Sequence, residues 1–157
     1  MLQRIIDAIA PLPVRALVTL GPAIDQELFR TPPNVVIRAS APHAVVLQEA
    51  AMVVTHAGHG TVIRALAHGV PLVCLPMGND QYDNAARVVA SGAGLRLSPN
   101  VRPPALRRAI QRILSEANFR AAARRVAAAI AAETAHPVAV QELEGLAARV
   151  QADNRVA

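Results

Sequence analysis

Val53-Val54-Thr55-His56-Ala57-Gly58-His59-Gly60-Thr61-Val62-Ile63-Arg64-Ala65-Leu66-Ala67 joins a β-branched run to a helical one through a short Gly-rich turn. The first part reads as a buried parallel strand that ends at His56. From Thr61 onward the apolar spacing becomes helical, and Val62, Leu66 and Ile63 are expected to face a sheet. The pattern then recurs. Val70-Pro71-Leu72-Val73-Cys74-Leu75-Pro76 reads as the next buried strand, followed by the loop Met77-Gly78-Asn79-Asp80-Gln81 and a helix over Asn79 to Ala90. Two successive strand–turn–helix units of this kind specify an α/β fold with a parallel sheet.

The rest of the chain fits that frame. Leu2 to Ile9 reads as a helix ended by Pro11 and Pro13, and Val14 to Leu20 as a strand. Ile24 to Phe29 reads as a helical turn, residues 31–34 as a turn, and Val35 to Arg38 as a strand. Pro42, suited to a first helical turn, opens a helix to about Glu49. Ala93 to Leu97 is the last strand; helices follow from Pro103 to Glu116 and from a cap at Asn118 to Glu133. His136-Pro137 marks a loop and break before a final helix from Val138 to Gln151. At 157 residues this is one domain, 1–157: a Rossmann-like doubly wound parallel sheet with C-terminal helices.

The two loops carry the chemistry. A helix start presents unpaired N–H groups and the positive end of a dipole, so His56 to Thr61 is a natural anion site. Asp80-Gln81 adds carboxylate acceptors and an amide fork, which suit a polyhydroxylated ligand. Ligands in open α/β sheets bind beyond the carboxyl ends of strands, where both loops lie. A phosphate holder beside a hydroxyl holder suggests a nucleotide-sugar. The turn is no Walker loop, because no Gly-Lys-Ser/Thr follows, and Gly58-His59-Gly60 lacks the third glycine of a dinucleotide fingerprint.

Ala41-Pro42-His43-Ala44-Val45-Val46-Leu47, Val54-Thr55-His56-Ala57-Gly58-His59-Gly60-Thr61, Gly69-Val70-Pro71-Leu72-Val73 and Asp80-Gln81-Tyr82-Asp83-Asn84-Ala85 together resemble the donor-binding signature of the family 1 glycosyltransferases. The likeness runs from about Leu17 to Leu97 and is closest to bacterial members that decorate natural products or lipids. It implies the GT-B architecture, two Rossmann-like domains across a cleft, of which this chain resembles the C-terminal, donor-binding half. By position, His56 matches the histidine on the donor diphosphate. Gly58, Gly60 and Thr61 match the turn that gives donors to phosphate, and His59 within it is a diphosphate-binding candidate that also has a plain reading as a helix-start residue. Asp80 and Gln81 match the pair on the sugar hydroxyls, and Ala41, Pro42 and His43 match the loop over the base. A neutral imidazole donates one hydrogen bond and a protonated ring two, so a histidine suits an arriving anion.

The implied activity is transfer of a hexose from a UDP- or TDP-sugar to a hydroxyl of a small-molecule or lipid acceptor, with inversion and without cofactor or metal. The acceptor-side base belongs to the other half, so no catalytic residue is expected in this chain, and the acceptor domain is a partner on a separate chain or on a longer one. Two positions depart from plant-type members. Ser40 stands where an aromatic stacks the base, and Arg64 stands where a Glu binds the ribose hydroxyls. Arg cannot accept a hydrogen bond, so a thymidine donor without the 2′-hydroxyl fits as well as a uridine one. Family members also carry a strand ahead of the helix Leu2 to Ile9, central in the order 3-2-1-4-5-6. The reading therefore expects the groups 14–20/35–38 and 53–56/70–75/93–97 to lack a shared neighbour, as in a fragment, unless the sheet closes differently.

Composition narrows the remaining classes. Hydrophobic residues make up 53% and aromatics 2%, so the core must be built from Ala, Val, Leu and Ile. All 16 basic residues are Arg, against 11 acidic ones, giving +5. Arg102, Arg107, Arg108, Arg112, Arg120, Arg124 and Arg125 cluster late and read as a solvated helical face. With one Tyr and no Trp, stacking on single-stranded nucleic acid is not supported, and no nucleic-acid partner is expected. Cys74 reads as a small buried hydrophobe. His56 and His59 lack a third ligand at zinc spacing. No signal peptide or membrane-length apolar run is seen, which makes a cytoplasmic protein the expectation. His68 is explained by a helix C-terminus before Gly69, and Asp80, Asp83 and Asn84 have a plain reading as capping and first-turn residues. Rival functions are a non-catalytic nucleotide-sugar-binding module and an epimerase, and the latter lacks the necessary cleft carboxylates.

Overall fold

The computed structural model describes residues 1–21, 24–135 and 138–153. Seven helices and five strands alternate over the described chain: α1 (Leu2–Ile9), β1 (Ala16–Thr19), β2 (Val35–Arg38), α2 (His43–Glu49), β3 (Val53–Thr55), α3 (His59–Ala67), β4 (Leu72–Cys74), α4 (Gln81–Ala90), β5 (Gly94–Arg96), α5 (Pro103–Ser115), α6 (Ala117–Ala135) and α7 (Val138–Asp153), with a 3₁₀ turn over Gln26–Leu28. The expected elements are present with ends moved by a few residues. Asn118 lies inside α6 rather than capping it, because the break is made by Glu116 in an extended conformation. The expected loop at His136 and break at Pro137 lie outside the described residues.

All strand pairs are parallel, and they form two ladders. β1 pairs β2, with Ala16 opposite Val35; β3, β4 and β5 form the other ladder, with Val53 opposite Leu72 and Leu72 opposite Gly94. The expected separation of the two strand groups is therefore observed. Hydrogen-bond parity shows which backbone groups it leaves open. Ala16 and Leu20 donate to Asn34 and Arg38, so the even-numbered residues of β1 face β2 and Leu17 and Thr19 face the other edge. Val53 donates to Pro71 and Thr55 accepts from Leu75, so Val54 turns its N–H and C=O away from β4.

β4 shows why the fold has three layers. Val73 and Leu75 belong to a cluster with Ile5, Ile6 and Ile9 of α1, Leu106 and Ile110 of α5, and Val35 and Ile37 of β2. Leu72 and Cys74 belong to a second cluster with Val62, Ala65 and Leu66 of α3, Val88 of α4 and Ala122 of α6. Successive strand residues point to opposite faces, so a strand apolar at every position needs helices on both. Of the three residues expected to pack α3 on the sheet, Val62 and Leu66 are buried and Ile63 is 40% exposed. Ala65 takes the buried stripe instead.

Arginines do structural work that the sequence reading assigned to solvent. Arg107 of α5 donates to the carbonyls of Ala8 (3.1 Å) and Asp7 (3.3 Å), near the C-terminus of α1. Arg120 of α6 donates to Gly69 (2.9 Å) and Ala50 (3.1 Å), tying two connections to the helix layer. Carbonyls at helix ends lack intrahelical donors, and a guanidinium supplies several at once. Asn34 acts similarly, its amide donating to Ile9, Leu12 and Val14 as the chain leaves α1. Arg112 does lie exposed, paired with Glu116 at 2.7 Å. Among the described residues no helix is long and apolar enough to cross a membrane.

Candidate functional site

Three connections leave the carboxyl ends of parallel strands: β2 to α2, β3 to α3, and β4 to α4. These connections and the first turns of the helices they lead into contain the residues expected to hold the diphosphate, the sugar and the base. His56 is exposed in the β3–α3 turn, Gly58 is the N-cap of α3, and His59 and Gly60 open the helix, with Thr61 half-buried behind them. The turn is held tightly. Ala57 is fully buried with φ 69°, an uncommon conformation for a residue with a side chain. Its N–H donates to the Thr55 hydroxyl at 3.2 Å. Glycine at 58 leaves room for the imidazole, since a Cβ there would lie 2.6 Å from Nε2 of His56 and the ring would have to swing away. The imidazole lies against Gly58 at the start of α3. There the N–H groups of His59 and Gly60 have no intrahelical acceptor, while that of Thr61 donates to the Gly58 carbonyl at 3.1 Å.

The second loop is also braced. Asn79 adopts φ 52°, and the Gln81 side-chain oxygen accepts from the Met77 N–H at 2.8 Å. That leaves the Gln81 amide NH₂ as its outward donor. Asp80 occupies the N-cap position of α4 but makes no capping bond with its side chain. Its Oδ2 instead accepts from Nδ2 of Asn84 at 2.8 Å, and the same Nδ2 donates to the carbonyl of Ala57 at 3.1 Å. Asn84 is therefore no simple first-turn residue; it joins the two loops. Asn84 lies within a stretch that carries the family resemblance, but an Asn four residues into a helix has an ordinary capping-region reading, and the sequence assigned it no other role.

Ala41 and Pro42 form the third connection, with Pro42 as N-cap and His43 the first residue of α2. Arg64 of α3 reaches across to it, with a guanidinium nitrogen 3.4 Å from Nδ1 of His43. The basic residue that stands in place of an acidic one thus sits beside the first residue of that helix. His68 places Nδ1 2.8 Å from the Arg64 carbonyl at the end of α3, in line with its helix-end reading. Cys74 is buried within β4, and burial pushes its thiol from 9.0 to about 11, as for an inert core residue. Among the described residues, no group of three or more His, Cys, Asp or Glu side chains is placed to hold a metal ion.

Comparison with known proteins places this geometry. Residues 3–146 match the family model described as erythromycin biosynthesis protein CIII-like, C-terminal domain. The chain belongs to this family. It is 38% identical over 142 residues to the 4'-demethylrebeccamycin synthase of Lentzea aerocolonigenes, covering 90% of this chain and 33% of that protein. Among solved structures it is similar to the calicheamicin glycosyltransferase CalG4 (TM-score 0.83, 29% identity, 92% of this chain and 37% of that one). It is also similar to the glycosyltransferase VinC, whose structure is a complex with DTDP (TM-score 0.73, 29% identity, 81% of this chain and 32% of that one). The fold is thus a Rossmann-like half of the GT-B glycosyltransferase architecture. The chain spans about a third of the length of these relatives.

Proposed function

We propose that the chain is the donor-binding half of an inverting glycosyltransferase that takes a hexose from a UDP- or TDP-sugar. The observation that carries this reading is the junction of the β3–α3 and β4–α4 loops. A helix start with a histidine folded over it stands next to a carboxylate tied to the same turn. His56, His59 and the Gly58–Thr61 amides would receive the diphosphate, and Asp80 with the Gln81 amide would receive sugar hydroxyls. Ala41, Pro42 and His43 would lie along the base, where Arg64 offers donors in place of an acceptor. With that substitution a deoxyribose donor fits as well as a ribose one, and VinC is a related structure that holds DTDP.

In this reading the acceptor oxygen attacks C1 as the C1–O bond to the diphosphate breaks. The leaving oxygen's charge would fall on the α3 amides and His56, where fixed dipoles stabilise it without a metal. The acceptor hydroxyl's proton would pass to a base on the acceptor domain, the partner that also supplies the small-molecule or lipid acceptor. Soluble cytoplasmic location belongs to the same proposal.

Calorimetric titration with UDP, TDP and their glucose esters tests it. The chain is expected to bind a diphosphate; His56→Ala should weaken diphosphate binding about tenfold, the worth of one hydrogen bond to a charged group. Asp80→Ala should weaken the sugar nucleotide and leave the diphosphate nearly unchanged. A cooperatively folded chain that binds neither diphosphate would overturn the donor-site reading.

A further inference from the structure

Asn84 is the residue in which the two loops meet, and its environment is unlike that of a capping side chain. It is the polar side chain classed as buried among the described residues, 7% exposed. It lies one turn into α4, with its own N–H bonded to the Asp80 carbonyl. Its amide nitrogen donates both to Oδ2 of Asp80 and to the carbonyl of Ala57, 27 residues earlier. An NH₂ group has two hydrogens, so both donors are committed. One of them holds an exposed carboxylate that would otherwise turn freely about its side-chain torsions. The other holds the carbonyl of a residue whose N–H is already bonded to Thr55 and whose φ is 69°.

We propose that Asn84 is the positioning residue of the donor site: it fixes the Asp80 carboxylate in one rotamer and in register with the β3–α3 turn. This deepens the proposed function and rests on it for the ligand. The consequence is specific. Aspartate at 80 contributes to sugar binding only while Asn84 aims it, because a carboxylate free to rotate loses its fixed hydrogen-bond geometry to a hydroxyl. Both donors of Asn84 are committed, so its NH₂ group acts on a ligand only through Asp80 and Ala57.

Two measurements decide this. The first compares the affinities of TDP and TDP-glucose in the native chain, Asn84→Ala, Asp80→Ala and the double variant. Asn84→Ala is expected to shift the TDP-glucose to TDP affinity ratio roughly tenfold, as Asp80→Ala does, with no further shift in the double variant. Equal losses for both ligands, or shifts that multiply in the double variant, would overturn the proposal. The second needs no ligand: three-bond NMR couplings report the Asp80 χ1 rotamer. One fixed rotamer is expected in the native chain and an averaged one in Asn84→Ala. Asn84→Leu, which keeps the approximate shape, has no donor and adds no charge beside Asp80, carries the same test should the alanine variant fail to fold. An Asp80 rotamer that is the same in all three sinks the idea, and a chain that binds no nucleotide sinks only the donor reading.

Discussion

His56 turns its ring over Gly58, and Cys74 lies two layers deep in β4; the contrast sets what each can do. The thiol has no partner that stabilises its anion, and burial raises it from 9.0 to about 11. The unfolded chain therefore releases this proton at lower pH than the folded one does. Stability from Cys74 is complete below pH 9 and falls as pH rises from 9 through 11, by about 2–3 kcal/mol at most. Denaturant melts of native and Cys74→Ala chains between pH 8 and 11 should show that slope in the native chain alone. His56 and Asp80 were legible in the sequence because their residue types and spacing carry the chemistry. Asn84 and Thr55 were not, since each acts through a backbone atom or side chain brought near by the turn.

At the scale of elements, β5 shows how tightly the second ladder is built. A Cβ at Gly94 would strike the carbonyl of Leu72 and approach Cγ1 of Val88 within 2.7 Å. Gly94→Ala should cost about 2–3 kcal/mol, through backbone displacement in the β4–β5 pair. A chemical-denaturation midpoint unchanged from the native chain would contradict that packing. The ladder edges give another expectation. Val18 and Val73 have partners on their strands' paired sides, whereas Leu17, Thr19 and Val54 present amides to edges with no ladder partner among the described residues. In hydrogen-exchange NMR the last three should lose protection well ahead of Val73. Similar protection in both sets would show that the edges are covered. The order of these elements was legible from periodicity and Pro/Gly punctuation. Their exact ends, the start of α6 at Ala117 and the outward turn of Ile63 were settled by packing.

For the whole molecule, ligand and fold are linked. A diphosphate received by the β3–α3 turn, as proposed, would bind only the folded chain, so about 100 Kd of ligand should add roughly 2.7 kcal/mol. For a domain of this size that raises Tm by about 5–10 °C. Scanning calorimetry with and without TDP checks it, and His56→Ala, about tenfold weaker, should lose about half of the rise at the same TDP concentration; an unchanged Tm at saturating TDP would contradict it. The sequence by itself determined the α/β class, the alternation of strands and helices, the family and the loops that hold the candidate site. Local spacing carries those, because period and turn chemistry act over a few residues. Only the tertiary structure decided that β4 divides its side chains between two cores, and that Arg107 and Arg120 bind carbonyls rather than water. It alone joined Asp80 to Ala57 through Asn84. Those arrangements depend on groups tens of residues apart meeting in space, and no local pattern records that meeting.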